Sequence, residues 1–124
     1  MSEPPVTEER AAVDIARLEA LRQLIGDDEF RRLADKFLGD LARRVDAMGR
    51  LSAAGDVAAL GREAHTLRGT AGSYGLETVA TLAERLEAAC ATAEPERVAG
   101  GLRALTAGMT ASMARLSTEF GLDK

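Results

Sequence analysis

Apolar side chains recur along this sequence at steps of three and four, the spacing of one buried stripe per α-helix. The first stripe is Ile15, Leu18, Leu21, Leu24 and Ile25, with Asp14 ahead of it as an N-cap side chain and Gly26 behind it as a stop. Phe30, Leu33, Ala34, Phe37, Leu41, Val45, Met48 and Leu51 mark a longer second helix. Asp27 and Asp28 are expected to cap it, and it runs to about Ala54 before Gly55. The third stripe is Val57, Leu60, Ala64, Leu67, Ala71 and Tyr74, capped by Asp56 and ended by Gly75, with Leu76 folding back as the apolar contact of a glycine C-cap. A fourth predicted helix spans about Glu77 to Ala91 with Val79, Leu82, Ala83, Leu86 and Cys90 inward. After Glu94-Pro95, where proline suits a first helical position, a fifth carries Val98, Leu102, Leu105, Met109, Met113 and Leu116 toward Phe120.

No alternating apolar–polar run and no Asn-Gly or Asp-Gly turn interrupts this pattern. Short connections make consecutive long helices antiparallel neighbours. The expected fold is therefore all-α, an antiparallel up-down four-helix bundle with a short additional N-terminal helix, over residues 13–121. Residues 1–12, which begin polar and Pro-rich, are expected to be disordered or frayed.

Composition narrows the function classes. The 124 residues suit one domain with one core, and no second domain fits. With 16 basic against 20 acidic residues and a net charge of −4, there is no overall attraction to nucleic acid. Aromatic side chains, the stacking platforms for single strands, make up 3% and Trp is absent. Cys90 is the sole cysteine, which excludes an internal disulfide and suits a reducing compartment. No apolar run approaches the ~18 residues of a membrane span, and the start, MSEPPVTEER, has neither the basic nor the apolar part of a secretory signal. A cytoplasmic protein is expected, and Met1 suggests a free-standing module, expected to be monomeric.

The chemistry concentrates in the third helix. His65, the only histidine, follows the seam residue Ala64 and so lies about 100° round the helix, facing outward. Its neighbours on that face are Gly61 and Arg62 before it and Arg68, Gly69 and Gly72 after it. Interior glycines cost roughly 0.8–1 kcal/mol each relative to alanine. A helix carrying several is built for close approach, either by a neighbouring helix or by a partner. The two arginines are ordinary surface charges taken singly; beside an exposed imidazole they form a cationic patch that could hold a phosphoryl group. Gly75 lies ten residues after His65 and twelve before Glu87, so on adjacent antiparallel helices the two stand about 15 and about 18 Å from the turn, nearly level. Glu87 is either a solvated charge or the acceptor of the His65 Nδ1–H bond, which would leave Nε2 unprotonated and outward as a nucleophile.

The segment His65-Thr66-Leu67-Arg68-Gly69, with Gly75 following, resembles the signature of histidine-containing phosphotransfer (HPt) domains of multistep phosphorelays. The likeness extends over roughly residues 13–119, including the stretch from Ile15 to Asp56 and YGLETVATLAERLE. It implies a helical bundle whose histidine accepts a phosphoryl group on Nε2 from a receiver-domain aspartate and passes it to another. His65 would carry the phosphoryl group, Glu87 would orient the imidazole, and Arg68, where the family usually has lysine, would stabilise phosphoryl charge. Gly69, with Gly61, Arg62 and Gly72, would form the docking face for receiver domains of a hybrid histidine kinase and a response regulator. No cofactor is expected on this chain, Mg²⁺ being expected on the receiver, and one histidine and one cysteine cannot complete a metal site. Neither GxxxxGK[ST] nor GxGxxG is present, so no kinase or ATPase activity is expected. The alternative is a helical adaptor that binds a signalling protein through the same face without phosphorylation.

Overall fold

Five α-helices make up most of residues 11–122, the part of the chain described by the structure, a computed structural model. They are α1 (Ile15–Ile25), α2 (Asp27–Ala53), α3 (Val57–Ser73), α4 (Glu77–Thr92) and α5 (Pro95–Phe120). The architecture is all-α; the one strand-like feature among the described residues is an isolated antiparallel bridge between Val13 and Leu76.

The caps follow the sequence in part. Asp14 and Asp56 each accept a hydrogen bond from the backbone N–H three residues on, Arg17 and Ala59, at 3.1 Å. Asp27 and Asp28 do not cap α2. Gly26, at φ +88°, is the N-cap and has no side chain to offer, and Asp27, Asp28 and Glu29 already lie in the first helical turn. The connection from α1 is a single residue long, so the aspartates are helical before they can cap; there they act on the positive end of the helix dipole. Asp27 also accepts from Arg22 Nη1 at 2.8 Å.

Leu41, Met48, Leu60, Leu67, Leu86, Leu105 and Met109 are fully buried, as the stripes require. Leu24 is the exception, 82% exposed. It adjoins Ile25 about 100° round a helix whose main packing is on α2, and Leu18, Leu21 and Ile25 take the inward side.

Packing runs α3 on α4, α4 on α5, and α2 against both α3 and α5. Where glycines meet the next helix the approach is close: a Cβ added to Gly61 would lie 3.2 Å from Cys90 Cβ, and one on Gly108 2.4 Å from Leu82 Cδ1. α2 is instead spaced by rings, Phe37 with Tyr74 at 4.2 Å and Phe30 with Phe120 at 4.9 Å between centroids. Arg44 of α2 adds an ion pair to Glu63 of α3 at 2.7 Å. No helix among the described residues is long and apolar enough to cross a membrane.

Of the N-terminal segment 1–12, residues 1–10 lie outside the described residues; Ala11 and Ala12 are held in place. The Ala11 carbonyl accepts from Arg115 Nη1 at 2.5 Å, and Ala12 N–H donates to Thr78 Oγ1 at 2.7 Å. Asp14 N–H donates to the Gly75 carbonyl at 2.8 Å. This strap fastens the connection between α3 and α4 from outside. Its own half of each bond is a backbone group, which leaves no mark in the side-chain pattern of residues 11–14.

Candidate functional site

The register of α3 against α4 is fixed by the turn that joins them. Gly75 takes φ +74°, a conformation open to glycine at little cost. Leu76 N–H returns to the Ala71 carbonyl at 2.9 Å and Gly75 N–H to that of Gly72 at 3.2 Å, the paired bonds of a Schellman end, and Leu76 is fully buried beneath them. A side chain at Gly75 would also strike the strap, because its Cβ would lie 2.8 Å from Asp14 Cβ. From this fixed point the helices return past each other, so that Gly61 meets Cys90 and His65 meets Glu87.

His65 stands on the exposed side of α3 with 66% of its side chain accessible. Nδ1 lies 2.8 Å from Glu87 Oε2. An ionised carboxylate only accepts, so Nδ1 carries the proton in this contact and, in the neutral ring, Nε2 carries the lone pair. Arg68 Nη1 lies 3.5 Å from the other oxygen of the same carboxylate, Oε1. Glu87, one third exposed, therefore joins His65 and Arg68 of one helix from the helix beside it.

The surroundings leave the ring accessible. Thr66, Thr70 and Ser73 turn their hydroxyls back to the carbonyls of Arg62, Thr66 and Gly69. Gly69 and Gly72 have nothing within 4 Å of where a Cβ would stand, which makes them the open part of the face. Gly61 differs: it is the close contact to α4 and forms the floor of a depression rather than a clearing. That depression, about 510 Å³ and open to solvent, has His65, Arg62, Thr66 and Glu87 on its polar side and Val57, Ala58, Cys90 and Ala91 on its apolar side. Burial, and after it the charge of Glu87, pushes the Cys90 thiol up, so it stays neutral beside the carboxylate.

Sequence reasoning missed Arg17, whose Nη1 donates to the Gly72 carbonyl at 3.3 Å and brings α1 to the edge of this face. Nothing in the spacing of α1 points to that contact, because it depends on where a short helix lies across the others. The apolar wall at Val57, Ala58 and Ala91 was also missed; counting back from the turn, as for Glu87, would have found it. Among the described residues no group of three or more His, Cys, Asp or Glu stands together as metal ligands.

The family model described as Hpt domain matches residues 32–118, from the first turns of α2 to the end of α5, and leaves α1 outside. No curated protein and no solved structure matches the chain.

Proposed function

The chain belongs to the Hpt domain family, and on that premise we propose that it is a phosphorelay phosphocarrier with His65 as the phosphorylated residue. The observation that carries this reading is the imidazole itself, exposed and bonded through Nδ1 to Glu87 at 2.8 Å, with no partner for Nε2 among the described residues. The four long helices form an up-down antiparallel bundle in this reading, with α1 in front, and the bundle's task is to present that ring.

In the reaction the Nε2 lone pair attacks the phosphorus of a receiver's aspartyl phosphate in line. The N–P bond forms as the P–O bond to aspartate breaks, and the carboxylate leaves with the bonding electrons. No proton moves, because Nδ1 keeps its own. The ring takes on positive charge as the bond forms, and the Glu87 carboxylate at Nδ1–H stabilises it. Arg68 and Arg62 supply positive charge on the same face for the incoming phosphoryl oxygens, and catalysis is otherwise positioning. Mg²⁺ and the acidic pocket belong to the receiver. Passing the group on reverses these steps with a response regulator. The chain has no kinase or ATPase activity of its own in this reading, and it acts as a cytoplasmic monomer between receivers of a hybrid kinase and a regulator.

The test is to mix the protein with a phosphorylated receiver and follow acid-labile, alkali-stable label. His65→Gln should lose that label while its circular dichroism stays helical; retained label would end the assignment. Stoichiometric binding to the receiver with no label on either protein form would favour the unphosphorylated adaptor.

A further inference from the structure

We infer that residues 11–17 are a clip on the α3–α4 hairpin. The clip supplies from outside the end caps that the two helices lack, and so holds the glycine end of the His65 face in place. Arg17, Thr78 and Arg115 are its positioning residues. The clip's hold on the hairpin is independent of what His65 does; its effect on transfer rests on the reading of His65 as the phosphoryl acceptor.

Both helix ends that meet at the turn are poorly provided by their own sequence. α4 starts after Leu76, an N-cap residue whose side chain cannot accept from the first N–H groups. α3 ends without a basic residue in its last turn. The N-terminal segment answers both. The Ala12 carbonyl accepts from Thr78 N–H at 3.3 Å, where a capping side chain would do so, and Ala12 N–H donates back to Thr78 Oγ1 at 2.7 Å. At the end of α3 the Arg17 guanidinium donates to the Gly72 carbonyl at 3.3 Å, bringing positive charge to the negative pole of the helix. Between the two, Asp14 N–H holds the Gly75 carbonyl at 2.8 Å.

The segment is fastened along its length. Ala11 and Val13 are buried and Ala12 between them is exposed, the alternation of an extended chain lying on a surface. Val13 pairs with Leu76 as the isolated bridge, and Arg115 ties the Ala11 carbonyl to α5, so the clip joins the hairpin to a third helix. Gly69 and Gly72, by contrast, weaken the end of α3, and nothing packs over the positions where their side chains would stand. The last turn of α3 therefore depends on what holds its carbonyls. The clip lies outside residues 32–118, the part matched by the family model.

Amide hydrogen exchange on the full-length, unphosphorylated protein tests the hold. An amide responds to a substitution only if its opening breaks the contact that was removed. Gly75 and Leu76 N–H, bonded within the hairpin itself, should exchange faster than Leu105 and Met109 in α5, which marks a local opening. Thr78→Val, Arg115→Met and Arg17→Met should each speed Gly75 and Leu76 by about two- to tenfold, the worth of one net hydrogen bond. Thr78→Ser, which keeps the acceptor, should restore most of the wild-type protection. Unchanged Gly75 and Leu76 rates in Thr78→Val and Arg115→Met would show that the turn opens without regard to the clip. Wild-type rates no faster than those of Leu105 would show that it opens only with the whole bundle. Either result overturns the inference.

Transfer gives the second arm. Val13→Asp places a charge at a position only 7% exposed and should lift the segment. The double variant Thr78→Val/Arg115→Met, which adds no buried charge, is run beside it. Both should raise the concentration of phosphorylated receiver needed for half-maximal labelling, by about threefold or more in Val13→Asp, and leave the rate at saturation unchanged. Labelling at the wild-type half-maximal concentration, in a variant whose Gly75 exchange shows the clip lifted, would mean that the face does not depend on it and would overturn the positioning role. Absence of label in the wild type would instead end the phosphocarrier reading, and the exchange rates, taken without a receiver, would still decide the clip.

Discussion

A histidine bound at Nδ1 and bare at Nε2 is chemically polarised in a way an ordinary surface histidine is not. Here one carboxylate contact at 2.8 Å produces that asymmetry. The opposite case lies in α5. Ser112 is fully buried, and its Oγ has no hydrogen-bond partner among the described residues. A desolvated hydroxyl without a partner costs about 1–3 kcal/mol, and alanine fills nearly the same space. Ser112→Ala should therefore raise stability by about 1 kcal/mol, seen as a higher urea midpoint at unchanged m-value; a lower midpoint would show that the hydroxyl is satisfied. At this scale the sequence reveals His65 and Glu87, because both are reached by counting residues from one glycine turn. It does not reveal the Arg68 contact to Oε1, which depends on how a side chain bends at its end. Nor does it show which glycine packs. A helical wheel gives each residue's direction from its own seam, not how near the next helix comes.

Helices α3, α4 and α5 approach through small residues, and the glycines among them divide by what a methyl group would meet. Gly69 faces open space, while a Cβ on Gly108 would sit 2.4 Å from Leu82 Cδ1, in a side chain only 6% exposed. Alanine in place of glycine inside a helix gains about 0.8–1 kcal/mol from backbone entropy. Gly69→Ala should show that gain in full. Gly108→Ala should lose it to overpacking, which costs about 1–3 kcal/mol, and end about 1 kcal/mol below wild type. Thermal unfolding of the pair checks both signs; a Gly108→Ala protein as stable as Gly69→Ala would mean that α4 and α5 part without cost. The elements themselves were legible: the five stripes give the five helices, and Gly26, Gly55 and Gly75 fall between them. Two details were not. The Asp27–Asp28 pair reads as a cap only until the connection proves to be one residue long. Leu24 reads as core only until α1 proves to pack mainly on α2, with its far side open.

For the molecule as a whole, Cys90 reports whether the bundle opens as one body or in parts. The thiol is 9% exposed and sits between α3 and α4, against Gly61. Burial raises its folded-state value above the ordinary 9.0. The folded chain therefore holds that proton more tightly than the unfolded chain does. The stabilisation is complete below the unfolded value and is lost as pH rises through the folded one. Unfolding free energy should fall as pH is raised above 9.0, and Cys90→Ala should show a shallower fall; equal slopes would place the thiol in water. The same burial makes the thiol a kinetic probe. An aromatic disulfide reagent is too bulky for the 9% of the residue that shows at the edge of the depression, so it should label Cys90 more slowly than in urea-unfolded protein by a factor of about 10³ or more, labelling waiting on an opening of α3 from α4. Phe30 packs on Phe120, in the contact between α2 and α5, and it has no part in the α3–α4 contact. If the helices open together, Phe30→Leu should speed Cys90 labelling by the same factor by which it lowers the folding equilibrium constant. An unchanged labelling rate would mean that α3 and α4 separate on their own, and that the face presenting His65 can loosen while the rest of the bundle stays closed.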